Sequence, residues 1–340
     1  MELKPVKWGV MGVAKIAVEK VIPAMQGSPW SSITAIASRE LEKAREAALQ
    51  LNIPRAYGSY EDLLADPDVE AIYNPLPNHL HVPYTIQAIQ AGKHVLCEKP
   101  LSMKLEEARD LVRLAKQAGV KVGEAFMVRT HPQWIRTREL VQSKAIGTLR
   151  AIQGTFCFHN VEPENIRNIA EYGGGGLLDI GCYPITTSRF VCGREPERVF
   201  GRLEFDPVFQ TDRLGSAILD FGDFLCSFVY STQMVHYQRM HFFGTEARVE
   251  IEIPFNAPSD RPCRLFIGHG DRYGRDIETV EFPVVDQYRI QGDHFSEAIR
   301  TDSDPPVPLT DALRNMAVID AVARSGRSGR WEVPEPVPGS

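Results

Sequence analysis

The 340-residue sequence contains no apolar run approaching the roughly 20 residues that a membrane-spanning helix requires. It shows no export leader either. Met1-Glu-Leu-Lys-Pro-Val-Lys-Trp8 has neither a long apolar core nor a small-residue cleavage site, which predicts a soluble, cytoplasmic protein with no membrane partner. Cys97, Cys157, Cys182, Cys192, Cys226 and Cys263 are widely spaced and form no C-x-x-C pair. That spacing argues against a disulfide framework and a zinc ribbon, and for small buried thiols. There is no excess of positive charge: the net charge is −6 and the basic residues are scattered rather than striped, so nucleic acid is not an expected partner. Internal repeats and low-complexity tracts are missing too.

What is present is an ordinary globular composition, 43% hydrophobic and 24% charged, on a chain long enough for two domains and a cleft. Short apolar strands alternate with helical segments over residues 1–125: strands at Val6–Met11, Ile33–Ser38, Val69–Tyr73, His94–Cys97 and Val120–Gly123, and helices at 15–26, Leu41–Leu51, Tyr60–Leu64, Val82–Ala91 and Leu105–Ala118. This rhythm predicts an α/β Rossmann domain, a doubly wound parallel sheet. Residues 126–340 change character. After a helix at Trp134–Gln142, strands are expected at Leu149–His159, Glu197–Phe205, Ser216–Tyr230, Met240–Phe243, Arg248–Ile253 and Val280–Val285. Several alternate in polarity, which predicts an α+β domain with a large, mainly antiparallel sheet open on one side. Helices are expected at Leu177–Val191, Asp293–Arg300 and Leu309–Ser325.

Four segments can carry chemistry. In Gly9-Val-Met-Gly12-Val13-Ala14-Lys15-Ile16-Ala17, the positions Gly12, Ala14 and Ala17 follow G-x-G-x-x-G/A between a strand and a helix. A dinucleotide pyrophosphate can rest there on the backbone N–H groups of a helix start, and Ala14 is a departure from the pattern. At the end of the second strand Ser38 and Arg39, with Lys43 one turn on, offer donors to a ribose 2′-phosphate, which favours NADP, whereas Glu40 leaves NAD open. Leu76-Pro77-Asn78 and His81 follow the third strand, where the ligand crevice of a parallel sheet opens. Asn78 can cap the next helix or bind the ligand. His79 and His81 lack a partner with zinc spacing, so no metal is expected. Glu98-Lys99-Pro100 ends the fourth strand and aims Lys99 into the cleft. Trp134, Phe158, Tyr230 and Tyr237 can stack on a sugar face, though such residues are more often core. The run Gly173–Gly176 suits a mobile loop near a ligand.

Taken in order, the glycine turn, Pro77-Asn78 with His81, Glu98-Lys99-Pro100, Phe126-Met-Val-Arg129-Thr-His131-Pro132 and Gly176-Leu-Leu-Asp179-Ile-Gly181-Cys-Tyr183 resemble the glucose-fructose oxidoreductase, inositol dehydrogenase and MocA family. The resemblance runs from Gly9 to about Trp331. It implies a catalytic group of Lys99, Asp179 and Tyr183. Many members of the family carry histidine at the last position; the tyrosine here is similar to the glucose-fructose oxidoreductase, aldose dehydrogenase and dimeric dihydrodiol dehydrogenase branch. It also implies that Arg129, His131 and Gln133 face nicotinamide and substrate, and that dimers or tetramers assemble through the open sheet.

The chemistry is coherent on its own terms. Alcohol oxidation needs a proton acceptor while hydride leaves, and tyrosine, with a pKa of about 10, is too weak a base at neutral pH unless a cation favours its phenolate. The expectation is therefore an NADP-dependent oxidoreductase moving hydride between nicotinamide and an aldose or cyclic polyol carbon, with Tyr183 moving the proton and Lys99, Arg129 and Asp179 contacting substrate. Two further enzymatic readings are trans-dihydrodiol dehydrogenation and glucose-fructose interconversion with a retained cofactor. A non-catalytic dinucleotide sensor belongs to another class, and the proton relay argues against it.

Overall fold

The computed structural model describes residues 4–337, so the first three residues of the opening segment lie outside it. The chain forms two compact units, one comprising the chain up to Met127 together with Asp286–Leu313, the other Val128–Val285 and the chain from Arg314. A single cut at 125/126 does not capture the return of the chain to the first unit.

In the first unit the strands are β1 (Val6–Met11), β2 (Ser31–Ala37), β3 (Arg55–Tyr57), β4 (Ala71–Asn74), β5 (His94–Glu98) and β6 (Val122–Ala125). They form one parallel sheet in the order β3-β2-β1-β4-β5-β6. The helices between them are α1 (Ile22–Gln26), α2 (Leu41–Gln50), α3 (Tyr60–Ala65), α4 (Asn78–Gln90) and α5 (Leu105–Ala118). Side chains alternate across β1. Trp8 and Val10 enter a core with Val21, Ile22, Met25, Ile33 and Phe295, whereas Gly9 lies against Leu63, Val69 and Ile72. Phe295 is what draws the returning chain in: its helix, Gln287–Thr301, packs on Trp8 at a ring separation of 5.6 Å, and Trp8 Nε1 donates to Ser296 Oγ at 3.2 Å.

In the second unit an eight-stranded sheet has the order β14-β13-β12-β11-β7-β10-β9-β8. Its strands are β7 (Leu149–His159), β8 (Arg198–Phe205), β9 (Asp212–Asp220), β10 (Leu225–Ser231), β11 (Gln233–Gly244), β12 (Arg248–Ile251), β13 (Cys263–Gly268) and β14 (Ile277–Phe282). All neighbours are antiparallel except β7 and β10. Helices α6 (Pro132–Gln142) and α7 (Cys182–Cys192) cover one face. Trp134, Phe156, Tyr183, Phe242 and Phe255 make the aromatic core there. Gln287–Thr301 is α8 and Leu309–Ser328 is α9.

Three local features differ from the sequence reading. The stretch Ser216–Tyr230, expected as one strand, is a hairpin whose turn is Phe221-Gly222-Asp223-Phe224. Phe221 and Phe224 stack at 4.6 Å and keep the apolar pattern unbroken through the turn. Strands β3 and β13 were not expected. The helices after Gly12 and after Gly176 both open with a π-turn, at Ala17–Val21 and Leu177–Gly181. No helix among the described residues is long and apolar enough to cross a membrane.

Candidate active site

The parallel register sets the carboxyl ends of the first sheet on one edge: Met11 pairs with Ala37, Val10 with Tyr73, Asn74 with Cys97 and Glu98 with Ala125. The strand order reverses between β1 and β4, so this edge is where a doubly wound sheet holds ligand. Gly12 turns the chain out of β1 with φ +89°, its N–H bonded to Ala37 O at 2.7 Å, and a Cβ there would stand 3.0 Å from Leu76 Cδ2. Only glycine meets both demands. Val13, Ala14 and Ile16 stay partly exposed and Lys15 fully so, while Ala17 is buried.

Ser38 and Arg39 lie at the end of β2 as expected. Ser38 Oγ accepts from Glu40 N at 3.3 Å, and Lys43 pairs with Glu40 at 2.7 Å on the exposed surface. Asn78 is the first residue of α4 rather than its cap, which is Pro77. His81 is buried, with Nδ1 2.7 Å from Pro100 O and Nε2 2.6 Å from Leu76 O, and burial pushes its ring down to about 4. Its ring lies between the β4 and β5 turns, and the single N–H of the neutral imidazole can donate to one of these two carbonyls.

Lys99 leaves the end of β5 through a turn that other buried side chains fix. Tyr73 donates to Glu98 Oε1 at 2.7 Å, and Glu124 Oε1 accepts from Leu101 N at 2.7 Å. The Lys99–Pro100 peptide is cis. Neither Tyr73 nor Glu124 was singled out from sequence, because a residue that acts through a turn leaves no motif of its own.

In the second unit Asp179 lies in the π-turn before α7 and Tyr183 in the first turn of α7. The Tyr183 ring is buried against Phe156 at 5.6 Å and Phe255 at 5.3 Å. Asp179 Oδ2 accepts from Arg167 Nε at 2.7 Å. Arg129 rests its guanidinium 4.4 Å above the Phe190 ring and donates to Thr186 Oγ1 at 3.5 Å. His131 and Gln133, expected to face a ligand, are buried: His131 caps α6 by accepting from Gln133 N, and Gln133 Nε2 donates to Ile253 O at 2.9 Å. Trp134 and Tyr230 are core residues with no accessible surface, Phe158 is partly exposed and Tyr237 exposed.

The glycine run is packed, and its glycines have a different reason from loop mobility. At Gly175, φ is +117° and a Cβ would stand 2.0 Å from Asp212 Oδ1. Asp212 in turn accepts at Oδ2 from Leu177 N and Tyr230 Oη, both at 2.7 Å. Burial pushes the Asp212 carboxyl from its ordinary 3.8 up to about 6, more strongly than these donors and in concert with Asp179. The folded chain therefore holds a proton that the unfolded chain releases between these values. This contribution to stability is present below about pH 4 and is lost as pH rises through 6. Its size is at most about 3 kcal/mol. Asp212→Asn is expected to remove it, so the Tm difference, variant minus wild type, should grow between pH 4 and 7; a constant difference would refute the assignment.

All six cysteines are free thiols, and among the described residues no three His, Cys, Asp or Glu stand where they could hold a metal ion.

Residues 6–126 match the model of the oxidoreductase family with an NAD-binding Rossmann fold, and residues 134–250 match the GFO/IDH/MocA C-terminal domain. An uncharacterized oxidoreductase of Rhizobium meliloti is 46% identical over 96% of this chain and 98% of its own. D-xylose 1-dehydrogenase (NADP(+)) 2 of Haloferax volcanii is 34% identical over 95% and 98%. Among solved structures, a 3-ketoreductase from Actinomadura kijaniata in complex with NADP and TDP-benzene superposes with a TM-score of 0.88 at 30% identity, over 94% of this chain and 98% of that one. On the full-length match and both family domains, the chain belongs to the GFO/IDH/MocA oxidoreductases and is itself an oxidoreductase.

Proposed function

We propose that the protein transfers hydride between NADP and a carbon of an aldose or cyclic polyol. The observation that carries this reading is the shared carboxyl edge of β1, β4 and β5, where Gly12, Leu76 and the Glu98–Lys99 turn line one side of the sheet across its switch point. The residues there fit a dinucleotide. Gly12 makes the tight turn at φ +89° that a Cβ would strain, the following N–H groups begin a helix, and the end of β2 offers Ser38 and Arg39 where an NAD-selective site would carry a carboxylate. The NADP in the ketoreductase crystal and in the name of the Haloferax enzyme supports the same choice.

When bound, the nicotinamide supplies or accepts the hydride. The chain's own part, in this reading, falls to Lys99, Asp179 and Tyr183. Tyr183 moves the hydroxyl proton, Lys99 favours its phenolate and anchors substrate, and Asp179 orients a substrate hydroxyl. The test is reduction of NADP+ and NAD+ at 340 nm over aldoses, inositols and trans-dihydrodiols. Turnover of a sugar with NADP+ is expected; turnover of dihydrodiols alone would replace the substrate class, and dinucleotide binding with no turnover of any of them would overturn the reading.

The start of β11 exposes Val235 at 79%, Tyr237 at 48% and Met234 at 40%, apolar surface that burial against a second copy would cover. A homodimer or homotetramer is expected in light scattering, and a mass of 38.1 kDa would contradict it.

A further inference from the structure

We infer that Arg167 is a positioning residue of this site, holding the Asp179 carboxylate in place and presenting its positive charge to the Tyr183 phenol. The inference rests on the proton role proposed for Tyr183.

Arg167 is fixed at both ends. Its backbone lies in a short 3-10 turn, Ile166–Asn168, where Asn165 Oδ1 accepts from Arg167 N at 3.1 Å and Arg167 O accepts from Gly175 N at 2.9 Å. Asn168 ties the same turn down by donating to Asn160 Oδ1 at 2.9 Å and Glu162 O at 2.8 Å. The guanidinium lies 5.8 Å from the Phe158 ring and donates through Nε to Asp179 Oδ2 at 2.7 Å. An ion pair this short, with Asp179 side chain only 13% exposed, sets the rotamer of both partners. Asp179 foremost raises the Arg167 guanidinium above its ordinary value against the cost of burial, and an ionised Tyr183 would add to it. The rings of Phe156 and Phe255 pack on Tyr183, and the carboxylate of Asp212, at the start of β9, acts on Asp179.

This arrangement has a consequence for acidity. Asp179 alone, four residues before Tyr183, would oppose the phenolate. Arg167, paired with Asp179 at 2.7 Å, offsets that charge, so the tyrosine is more acidic with Arg167 than without it.

The experiment compares wild type with Arg167→Gln, Arg167→Lys and Tyr183→Phe, measuring kcat and kcat/KM for sugar oxidation across pH, NADP+ affinity by fluorescence, and Tm. Arg167→Gln is expected to lower kcat roughly ten- to a hundredfold with NADP+ affinity unchanged, and to move the ascending limb of kcat to higher pH. Arg167→Lys should restore most of the rate and the limb. If Arg167→Gln keeps the wild-type limb and rate while Tyr183→Phe is inactive, the inference is wrong and the proton role stands. A Tyr183→Phe enzyme with wild-type turnover overturns the proton role itself. Should Arg167→Gln lose Tm, the lysine variant decides: a folded Arg167→Lys enzyme whose rate falls as far as the glutamine variant's, on an unmoved limb, contradicts the inference.

Discussion

Tyr183→Phe is expected to lower kcat by about two to four orders of magnitude, the range associated with removing a positioned proton donor or acceptor. The effect should fall on kcat and leave NADP+ affinity near wild type, because the proposed pyrophosphate and ribose-phosphate contacts, Gly12 to Ile16, Ser38 and Arg39, lie in the first unit. The ring itself is retained, and its packing on Phe156 and Phe255 is what Tyr183 contributes to the core. Tm should therefore move by only a few degrees. Steady-state rates read beside a melting curve separate the two roles: a large loss of Tm with a proportionate loss of rate would make Tyr183 structural.

Gly175→Ala is expected to cost roughly 3 to 5 kcal/mol, combining a strained backbone at φ +117° with displacement of the Asp212 carboxylate from its two donors. For a chain of this size that corresponds to a Tm lower by about 4 to 7 °C. The new methyl would stand on Asp212 Oδ1, and Asp212 cannot swing away without leaving Leu177 N and Tyr230 Oη unpaired. Leu177 begins the π-turn that carries Asp179, so the damage should spread to catalysis. A calorimetric scan checks it. An unchanged Tm would mean that Asp212 does not brace this turn.

Much of the first unit could be read from the sequence because its signals are local. Helix α5 occupies the expected Leu105–Ala118 and β1 its expected bounds, as does β7 in the second unit, since apolar periodicity and flanking glycines decide such elements. Position along the chain also located Gly12, Ser38, Arg39 and Lys99 at strand ends, where a parallel sheet opens its crevice. What escaped depends on contacts distant in sequence. Phe295 reaches Trp8 across 287 positions, so no local pattern announces that α8 joins the first unit. His81 reads as a ligand contact beside a turn, yet its partners are the carbonyls of Leu76 and Pro100, fixed only by folding. Arg167 and Asp212 stand in segments without a motif, and their roles emerge through Asp179 and Gly175. Four consecutive glycines suggest mobility in a sequence, and the packed carboxylate behind them is visible only in three dimensions.

The central claim is hydride transfer between a sugar or polyol carbon and NADP. Its most direct test is incubation of the protein with NADP+ and an aldose deuterated at C1, followed by mass analysis of the reduced cofactor. The expected result is NADPH carrying one deuterium on the nicotinamide, formed as absorbance at 340 nm rises and abolished in Tyr183→Phe. NADPH formed without deuterium would rule out C1 as the donor carbon, and no reduced cofactor from any aldose or polyol so labelled at its hydroxyl-bearing carbons would contradict the account.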